Sequence, residues 1–269
     1  KILESTRPHI FWTPCAAHCL DLILEDIGKL VKVKRTIQRG INLVGFIYNH
    51  SLVLNTMRKF TSKTELVRHG VTRFATTLLT LQRLHKQKNN LRMMFTSDDW
   101  LKSKTAKDPK GKRAAGTVLM PSFWNDVVYC LKAMGPLVRV LRLVDNEKRP
   151  AMAYIYEAMD RAKEAIQKSF NGLEERYKDI FDIIDRRWEC QLHHPLHAVG
   201  HFLNPEFFYA NPRKDLDPEV MDGLVKVIER LSENSQEADM AMNEVYKYKR
   251  AEGSFGVQAA IRQRNTVAP

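Results

Sequence analysis

The stretch "FWTPCAAHCLDLILEDIGKL", residues 11–30, contains two different backbone signals. The short β-prone segment from His9 to Trp12 ends just before Pro14, so we expect a strand there. From Leu20 to Leu30 the apolar residues recur at spacings of three and four, which predicts an amphipathic helix. The stretch therefore predicts one strand followed by one helix.

The rest of the chain carries helical spacing and almost no strand signal. We expect helices over about 31–60, 73–95, 122–144, 150–170, 174–191, 217–232 and 236–250. Gly135-Pro136 should kink or break one of them, because proline removes a backbone donor and its ring clashes with the preceding turn. The Lys-rich run "WLKSKTAKDPKGKRAAG", residues 100–116, contains Pro109 and Gly111 and predicts an exposed, mobile loop.

The positive charge of the chain is unevenly distributed. There are 43 Lys and Arg against 31 Asp and Glu, a net charge of +12. Residues 1–113 hold 22 basic and 8 acidic residues, whereas residues 114–269 hold 21 and 23. A one-sided basic segment is typical of a protein that contacts a phosphate backbone. The alternative is a solvated helical surface that is basic without binding nucleic acid.

Composition also bears on the compartment. No stretch approaches 18 uncharged apolar residues, so we expect no membrane partner. The four cysteines, at 15, 19, 130 and 190, are scattered and do not form a disulfide framework. This pattern favours a reducing, intracellular compartment.

Two groups of residues have spacings found in metal sites. Cys15 and His18 could form half of a zinc site, but no second pair follows at finger spacing. His193, His197 and His201 are four apart and would share one face of a continuous helix, although Pro195 can begin a helix instead. A metal enzyme centred on these histidines and a set of packing or surface histidines are both compatible with the sequence.

Arg73 and Phe74 come together where a helix is expected to begin. An arginine beside an aromatic ring can contact a phosphate while the ring stacks on a base. A buried phenylalanine beside a surface arginine fits the sequence equally well.

Several longer stretches together resemble plant transposase-like proteins of the hAT superfamily. They are residues Trp12 to Lys29, Phe46 to Thr61, Val71 to Leu84 and Asp185 to Pro205. The resemblance implies a parent protein with an RNase H-like core that a large all-α domain interrupts. Residues 1–30 would be the last piece of that core and residues 31–269 the insertion, which contains the basic loop at 100–116. The expected fold is therefore mainly α, with a small remnant of an RNase H-like α/β core at the N-terminus.

The resemblance also implies what the parent does and what this chain lacks. Such enzymes cut DNA with three acidic residues and a divalent metal, Mg²⁺ or Mn²⁺. In family order two Asp precede the C-x-x-H segment and a Glu follows the insertion, in the dimerisation region. No catalytic acid or metal ligand is therefore expected in this chain. The expected partner is DNA, and the parent is expected to associate with further copies of itself through a region outside this chain. The expected location is the nucleus.

The same resemblance indicates site residues. Cys15 and His18 match the C-x-x-H motif and are expected next to the active site of the parent. Arg73 and Phe74 stand where the family has Arg-Trp near bound DNA. The lysine-rich run supplies further candidate DNA contacts, namely Lys102, Lys104, Lys107, Lys110, Lys112 and Arg113. A domesticated helical module for protein–protein contact is the alternative, and weak salt dependence of DNA binding would favour it.

Overall fold

The computed structural model describes residues 5–68, 74–145, 150–210 and 218–267, with the side chains of residues 74 and 75 excepted. Within these ranges the secondary structure is helical and contains no strand, which confirms the mainly α prediction. The α-helices are α1 Ala16–Lys29, α2 Val31–Tyr48, α3 Ser51–Phe60, α4 Phe74–Lys86, α5 Lys88–Thr96, α6 Asp98–Leu101, α7 Lys104–Lys107, α8 Pro109–Leu119, α9 Pro121–Val144, α10 Ala151–Ser169, α11 Lys178–Arg187, α12 Pro195–Phe202, α13 Pro205–Phe208, α14 Pro218–Leu231, α15 Ser235–Lys249 and α16 Gln258–Gln263. None of the helices in these ranges combines the length and the hydropathy that crossing a bilayer would require.

The helix predicted from Leu20 to Leu30 is present as α1. Leu20, Ile23, Leu24 and Ile27 are completely buried, as their spacing predicted. Removing a side chain of this size from water contributes about 1.5–3 kcal/mol. This helix is therefore specified by its apolar stripe.

The strand predicted from His9 to Trp12 is absent, and residues 10–15 have no regular secondary structure. The guanidinium of Arg230 donates to the carbonyl oxygens of Pro8 and Ile10, at 2.6 and 2.7 Å, and lies 4.1 Å from the ring centroid of Phe11. One arginine thus satisfies the carbonyls that a neighbouring strand would otherwise pair. The described residues consequently provide no strand for an RNase H-like remnant.

The chain divides into two compact units. The central unit comprises Asp21–Val138 and Ala165–Ile183, and the terminal unit comprises Lys1–Leu20, Arg139–Glu164 and Ile184–Pro269. This division does not coincide with the boundary expected at residue 30. The expected boundary concerns the origin of the two segments in a parent protein, so it stays a prediction.

In the central unit, α2 packs against α3, α4 and α8. Gly40 allows the close approach of α4, since a Cβ at this position would stand 2.8 Å from the Leu81 side chain. Beneath these helices Trp100 meets Phe95 edge-on, with ring centroids 4.6 Å apart, and Trp124 donates from Nε1 to the carbonyl oxygen of Val118 at 2.7 Å. The buried indole of Trp124 thus has a hydrogen-bond partner, and that of Trp100 packs against an aromatic ring.

The loop prediction for residues 100–116 is wrong, because α6 ends in this run and α7 and α8 follow. Each short helix begins at a side-chain cap: Ser97, Ser103 and Asp108 accept hydrogen bonds from backbone N–H groups two or three residues later. Pro109 occupies the first turn of α8, where a proline costs no hydrogen bond. Gly111 is buried against α7, since a Cβ there would overlap the backbone oxygen of Thr105. The proline and the glycine that indicated a loop therefore mark a helix start and a close helix contact.

Pro136 does not interrupt the helix that contains it, since α9 continues from Pro121 to Val144. Leu137 and Val138 beside it are buried. Packing of this apolar segment offsets the cost of the missing backbone donor. The predicted break is therefore wrong, whereas the predicted kink stays a prediction.

In the terminal unit, α12 packs against α14, and α14 packs against α15. Gly223 on α14 allows this approach, because a Cβ there would lie 3.1 Å from the Cβ of Ala198. Tyr248 on α15 is buried, and its hydroxyl donates to the carbonyl oxygen of Phe202 at 3.2 Å. The core formed by these helices contains Ala198, Val199, Phe202, Phe208, Val220, Leu224, Val227 and Tyr248.

Two glycines of α8 provide a matched test of the helical assignment. Gly111→Ala should lower the free energy of unfolding by about 1–3 kcal/mol, because the new methyl group displaces α7. Gly116→Ala should raise it by about 0.4–1 kcal/mol, because no atom lies within 4 Å of the new methyl group and alanine favours the helix. Denaturant unfolding of both variants measures the difference. Equal effects at the two positions would contradict the contact between α7 and α8.

Candidate nucleic-acid interface

The excess positive charge belongs to one folded unit. The central unit holds 24 Lys and Arg against 12 Asp and Glu, whereas the terminal unit holds 19 of each. The entire net charge of +12 therefore lies in the central unit. A partner attracted by charge would meet this unit first.

A groove of about 970 Å³ runs between α2 and α8 in the central unit. Its walls contain three permanent cations, several uncharged polar side chains and no carboxylate. The lining residues are Arg39, Ile41, Asn42, Leu43, Gly45, Phe46, Asn49, His50, Lys110, Arg113, Ala114, Gly116, Thr117 and Met120. This composition suits an anionic ligand with many hydrogen-bond acceptors.

Helical spacing explains which side chains line the groove. Asn42 on α2 and Asn49, the residue that caps its C-terminus, are seven residues apart, which is two turns. On α8, Lys110, Arg113 and Thr117 follow at spacings of three and four, so they share one face. The two asparagine amides and the threonine hydroxyl add neutral donors beside the cations.

Two glycines leave the groove open. A Cβ at Gly45 or at Gly116 would meet no other atom within 4 Å. The backbones of both walls are thus accessible from the groove. A ligand backbone can approach each wall more closely at these positions than a side chain would permit.

Arg39 is the one groove cation on α2. Its Nη2 lies 3.2 Å from the Met120 sulfur, and its guanidinium lies 5.2 Å from the ring centroid of Phe123. No carboxylate within the described ranges forms an ion pair with it. These contacts hold the guanidinium at the groove without neutralising its charge.

Arg39 was not among the sequence candidates. It lies within a long amphipathic stretch, where a basic residue resembles any solvated position. The available signal was its spacing from Lys32 and Arg35, since positions i, i+3 and i+7 share a helix face. Its proximity to α8 could not be inferred from spacing, because 71 residues separate Arg39 from Lys110.

Only part of the predicted basic set lines the groove. Lys110 and Arg113 line it, whereas Lys104, Lys107 and Lys112 are exposed outside its lining. Lys102 is also exposed, and its Nζ lies 3.8 Å from the Asp98 carboxylate on the preceding turn. The structure thus divides these side chains into a convergent pair and a dispersed set.

The Arg73-Phe74 prediction falls outside the described part of the molecule. Arg73 lies outside the described residues, and Phe74 begins α4 with its side chain likewise outside them. Its role in base stacking therefore stays a prediction.

Cys15 and His18 belong to the terminal unit, and both are exposed. Cys15 stands immediately before α1, where its carbonyl oxygen accepts from the backbone N–H of Cys19 at 3.0 Å. His18 lies in the first turn of α1. Their expected location beside an active site of the parent stays a prediction.

The three spaced histidines do not lie on one helix. A π-helical turn ends at Leu192, His193 follows it, and α12 begins only at Pro195. His197 and His201 are buried in α12, whereas the exposed His193 has its Nδ1 3.3 Å from the Glu219 carboxylate. Over the described ranges, no cluster of three or more His, Cys, Asp or Glu side chains is arranged to hold a metal ion.

His197 has a structural contact instead. Its Nδ1 lies 2.6 Å from the carbonyl oxygen of Leu192, so Nδ1 carries the proton and donates it. Burial lowers the pKa of His197 below its ordinary value, while the bond to Leu192 partly opposes this shift. The neutral ring therefore connects the start of α12 to the π-helical turn.

Comparison with known proteins gives one family match. Residues 1–42 match a family described as Domain of unknown function (DUF659). This domain is associated with hAT-type transposase-like proteins. No curated protein and no solved structure matches the chain.

The family match covers only the first 42 residues of the chain. It includes Cys15, His18 and all of α1, and it ends inside α2 just after Arg39. It supports the transposase-like part of the resemblance. The groove cations Lys110 and Arg113 lie beyond it, so their interpretation depends on geometry and charge.

The buried His197 makes stability dependent on pH. Because its folded pKa is below the unfolded value near 6.5, its contribution is complete above that value and is lost as the pH falls through the folded pKa. His197→Asn keeps an N–H donor for Leu192 but does not titrate. We expect wild type to lose more unfolding free energy than this variant between about pH 7 and pH 5.

The measurement is denaturant unfolding at both pH values. The same substitution at an exposed position, His18→Asn, serves as the matched control. An equal loss in wild type and His197→Asn would show that His197 does not contribute to acid sensitivity.

Proposed function

We propose that this chain is a non-catalytic, DNA-binding part of a hAT-type transposase-like protein of plant type. The groove between α2 and α8 is the observation that carries the proposal. Arg39, Lys110 and Arg113 line it without a carboxylate. Phosphate contacts supply most of the affinity in non-specific DNA binding, and such contacts need cations whose charge remains available.

The chemistry of DNA cleavage is assigned to the parent. Divalent metal, Mg²⁺ or Mn²⁺, would be held there by acidic residues outside this chain. In this proposal the chain itself contributes DNA binding, and the cutting is assigned to those residues of the parent. Nuclear location and self-association through another region of the parent belong to the same proposal.

The binding mode follows from the groove. Lys110 and Arg113 on one wall and Arg39 on the other contact phosphates of one DNA backbone. The neutral side chains of Asn42, Asn49 and Thr117 donate hydrogen bonds to phosphate or sugar oxygens. Because these contacts avoid base edges, we expect little dependence on DNA sequence.

The test compares two triple variants of equal charge. Arg39→Gln, Lys110→Gln and Arg113→Gln together remove the groove cations. Lys104→Gln, Lys107→Gln and Lys112→Gln together remove exposed lysines from the same segment but outside the groove. Each phosphate contact that a substitution removes should reduce the slope of log K against log salt by about 0.9.

We therefore expect the groove variant to lower this slope by about 2–3 and the control to change it by less than about 1. Titration of a labelled duplex of about 20 bp at several salt concentrations measures both. Equal reductions of the slope in the two variants would indicate that DNA binds to a diffuse basic surface rather than in the groove. An unchanged slope in both would contradict DNA binding by this segment.

A substitution at Gly116 adds an independent check. Gly116→Glu introduces a carboxylate beside the groove, at a position where an added Cβ meets no atom within 4 Å. It should weaken duplex binding roughly tenfold or more, since it opposes the phosphate charge. Gln82→Glu, at an exposed position on α4, makes the same charge change outside the groove and should leave binding nearly unchanged.

A protein–protein module is the second candidate, and a feature of the terminal unit favours it. Val257, Ile261 and Val267 are 51, 40 and 56% exposed, and they lie within eleven residues of one another around α16. Exposed apolar patches often mark interaction surfaces. A weak salt dependence that neither triple variant changes would favour this candidate over DNA binding.

A further inference from the structure

A second cleft of about 520 Å³ opens in the central unit, beside α2, α9 and the segment that follows α10. Its lining contains three cations, two aromatic rings and one carboxylate. The residues are Lys32, Asn125, Val128, Tyr129, Lys132, Phe170, Glu175 and Arg176. This volume lies within the range of sites for small organic ligands.

Two of the three cations of this cleft, Lys32 and Lys132, lie close to its rings. The Lys32 Nζ lies 4.2 Å from the ring centroid of Tyr129, and the Lys132 Nζ lies 5.6 Å from that of Phe170. The two rings are 5.3 Å apart and inclined at 51°. Phe170 is buried and fixed, whereas Tyr129 is half-buried and presents part of its ring to the cleft.

The charge of the cleft is mostly uncompensated. Within the described ranges, Lys132 and Arg176 form no ion pair. Lys32 lies 3.4 Å from the Asp126 carboxylate, which Arg35 also approaches at 3.4 Å. An anion entering the cleft therefore meets two cations that have no ion-pair partner, a third that Asp126 shares, and one opposing carboxylate, that of Glu175.

A ligand that matches these features combines an anion with a planar ring. Inorganic phosphate would use the cations but make no contact with the half-buried ring of Tyr129 or the carbon surface of Val128. A nucleoside phosphate uses both, because every base offers a face for stacking on an aromatic ring. Asn125 supplies an amide that can both donate to and accept from a base edge.

We propose that this cleft binds a nucleoside phosphate, with the phosphate among Lys32, Lys132 and Arg176 and the base against Tyr129. On binding, the Lys32 ammonium leaves the tyrosine ring for the phosphate, and the base takes its place on the ring. The exchange keeps the ring covered and gives the cation a full negative charge. No bond to the protein is formed or broken.

The nucleotide has two possible sources. A free nucleotide would enter the cleft alone. Alternatively, a single strand would follow α2, where Lys32, Arg35 and Arg39 share one face over about 10 Å. Arg39 lines the groove and Lys32 lines the cleft. Binding of a single strand therefore rests on the proposed function, whereas binding of a free nucleotide does not.

The experiment uses the whole chain with two probes, AMP and a labelled oligothymidylate single strand of about ten nucleotides, a length within the range of single-strand binding sites. Lys132→Gln with Arg176→Gln removes the uncompensated cations, and Tyr129→Leu removes the aromatic face. Tyr129→Phe keeps the ring and is the matched control. Thermal unfolding of each variant verifies that the fold is retained.

We expect the double variant to weaken probe binding roughly tenfold or more. Tyr129→Leu should weaken it between about fivefold and a hundredfold, as when one base no longer stacks on a ring, and Tyr129→Phe should have little effect. Titration calorimetry measures AMP, and fluorescence anisotropy measures the oligothymidylate. If the variants weaken AMP binding, the cleft takes a free nucleotide. If they weaken only the binding of oligothymidylate, the cleft takes a nucleotide of a single strand.

Two outcomes would overturn the proposal. The first is that neither probe responds to the cleft variants. The second is that inorganic phosphate displaces bound AMP as effectively as AMP itself, which would show that the base adds nothing. The groove triple variant separates the two proposals: if it weakens duplex binding while the cleft variants affect neither probe, only the cleft assignment fails.

Discussion

Burial of the apolar side of α2 is the constraint on which the central unit depends. Val33, Leu43, Val44 and Ile47 are buried, and α3, α4 and α8 pack around this helix. A helix committed to the core on one side must carry its polar residues along the remaining edge. Lys32, at the start of α2, and Arg39, two turns later, therefore reach solvent at fixed positions, one at the cleft and one at the groove.

This packing determines where the basic residues lie in the folded molecule. In sequence, the positive excess occupies the first 113 residues, but the fold assigns it to a unit that also includes Ala165–Ile183. That unit encloses a groove whose walls come from α2 and α8. A basic composition alone attracts polyanions weakly and without geometry. In the structure, cations from two helices converge on one groove, which is the site of the proposed DNA contact.

Two polar side chains of the terminal unit bind backbone carbonyl groups. Arg230 satisfies the carbonyls of Pro8 and Ile10, and His197 holds Leu192. His197 has the spacing of a metal ligand in the sequence, yet the structure gives it a backbone partner. The partners of both side chains are backbone oxygens that would otherwise be left without a donor. The same residue types can therefore serve binding in one unit and packing in the other.

The sequence by itself determined the helical class, the apolar stripe of α1 and the basic excess, because these depend on spacing and composition. It also suggested Lys110 and Arg113, which do line the groove. It failed over residues 100–116, where a serine, a proline and a glycine can indicate either a loop or a capped helix. Only the tertiary structure decided that Gly111 packs against α7, that no described strand pairs with residues 9–12, and that Arg39 lies near α8. Each of these depends on contacts between residues distant in sequence or on the space around one atom, and local spacing carries no information about either.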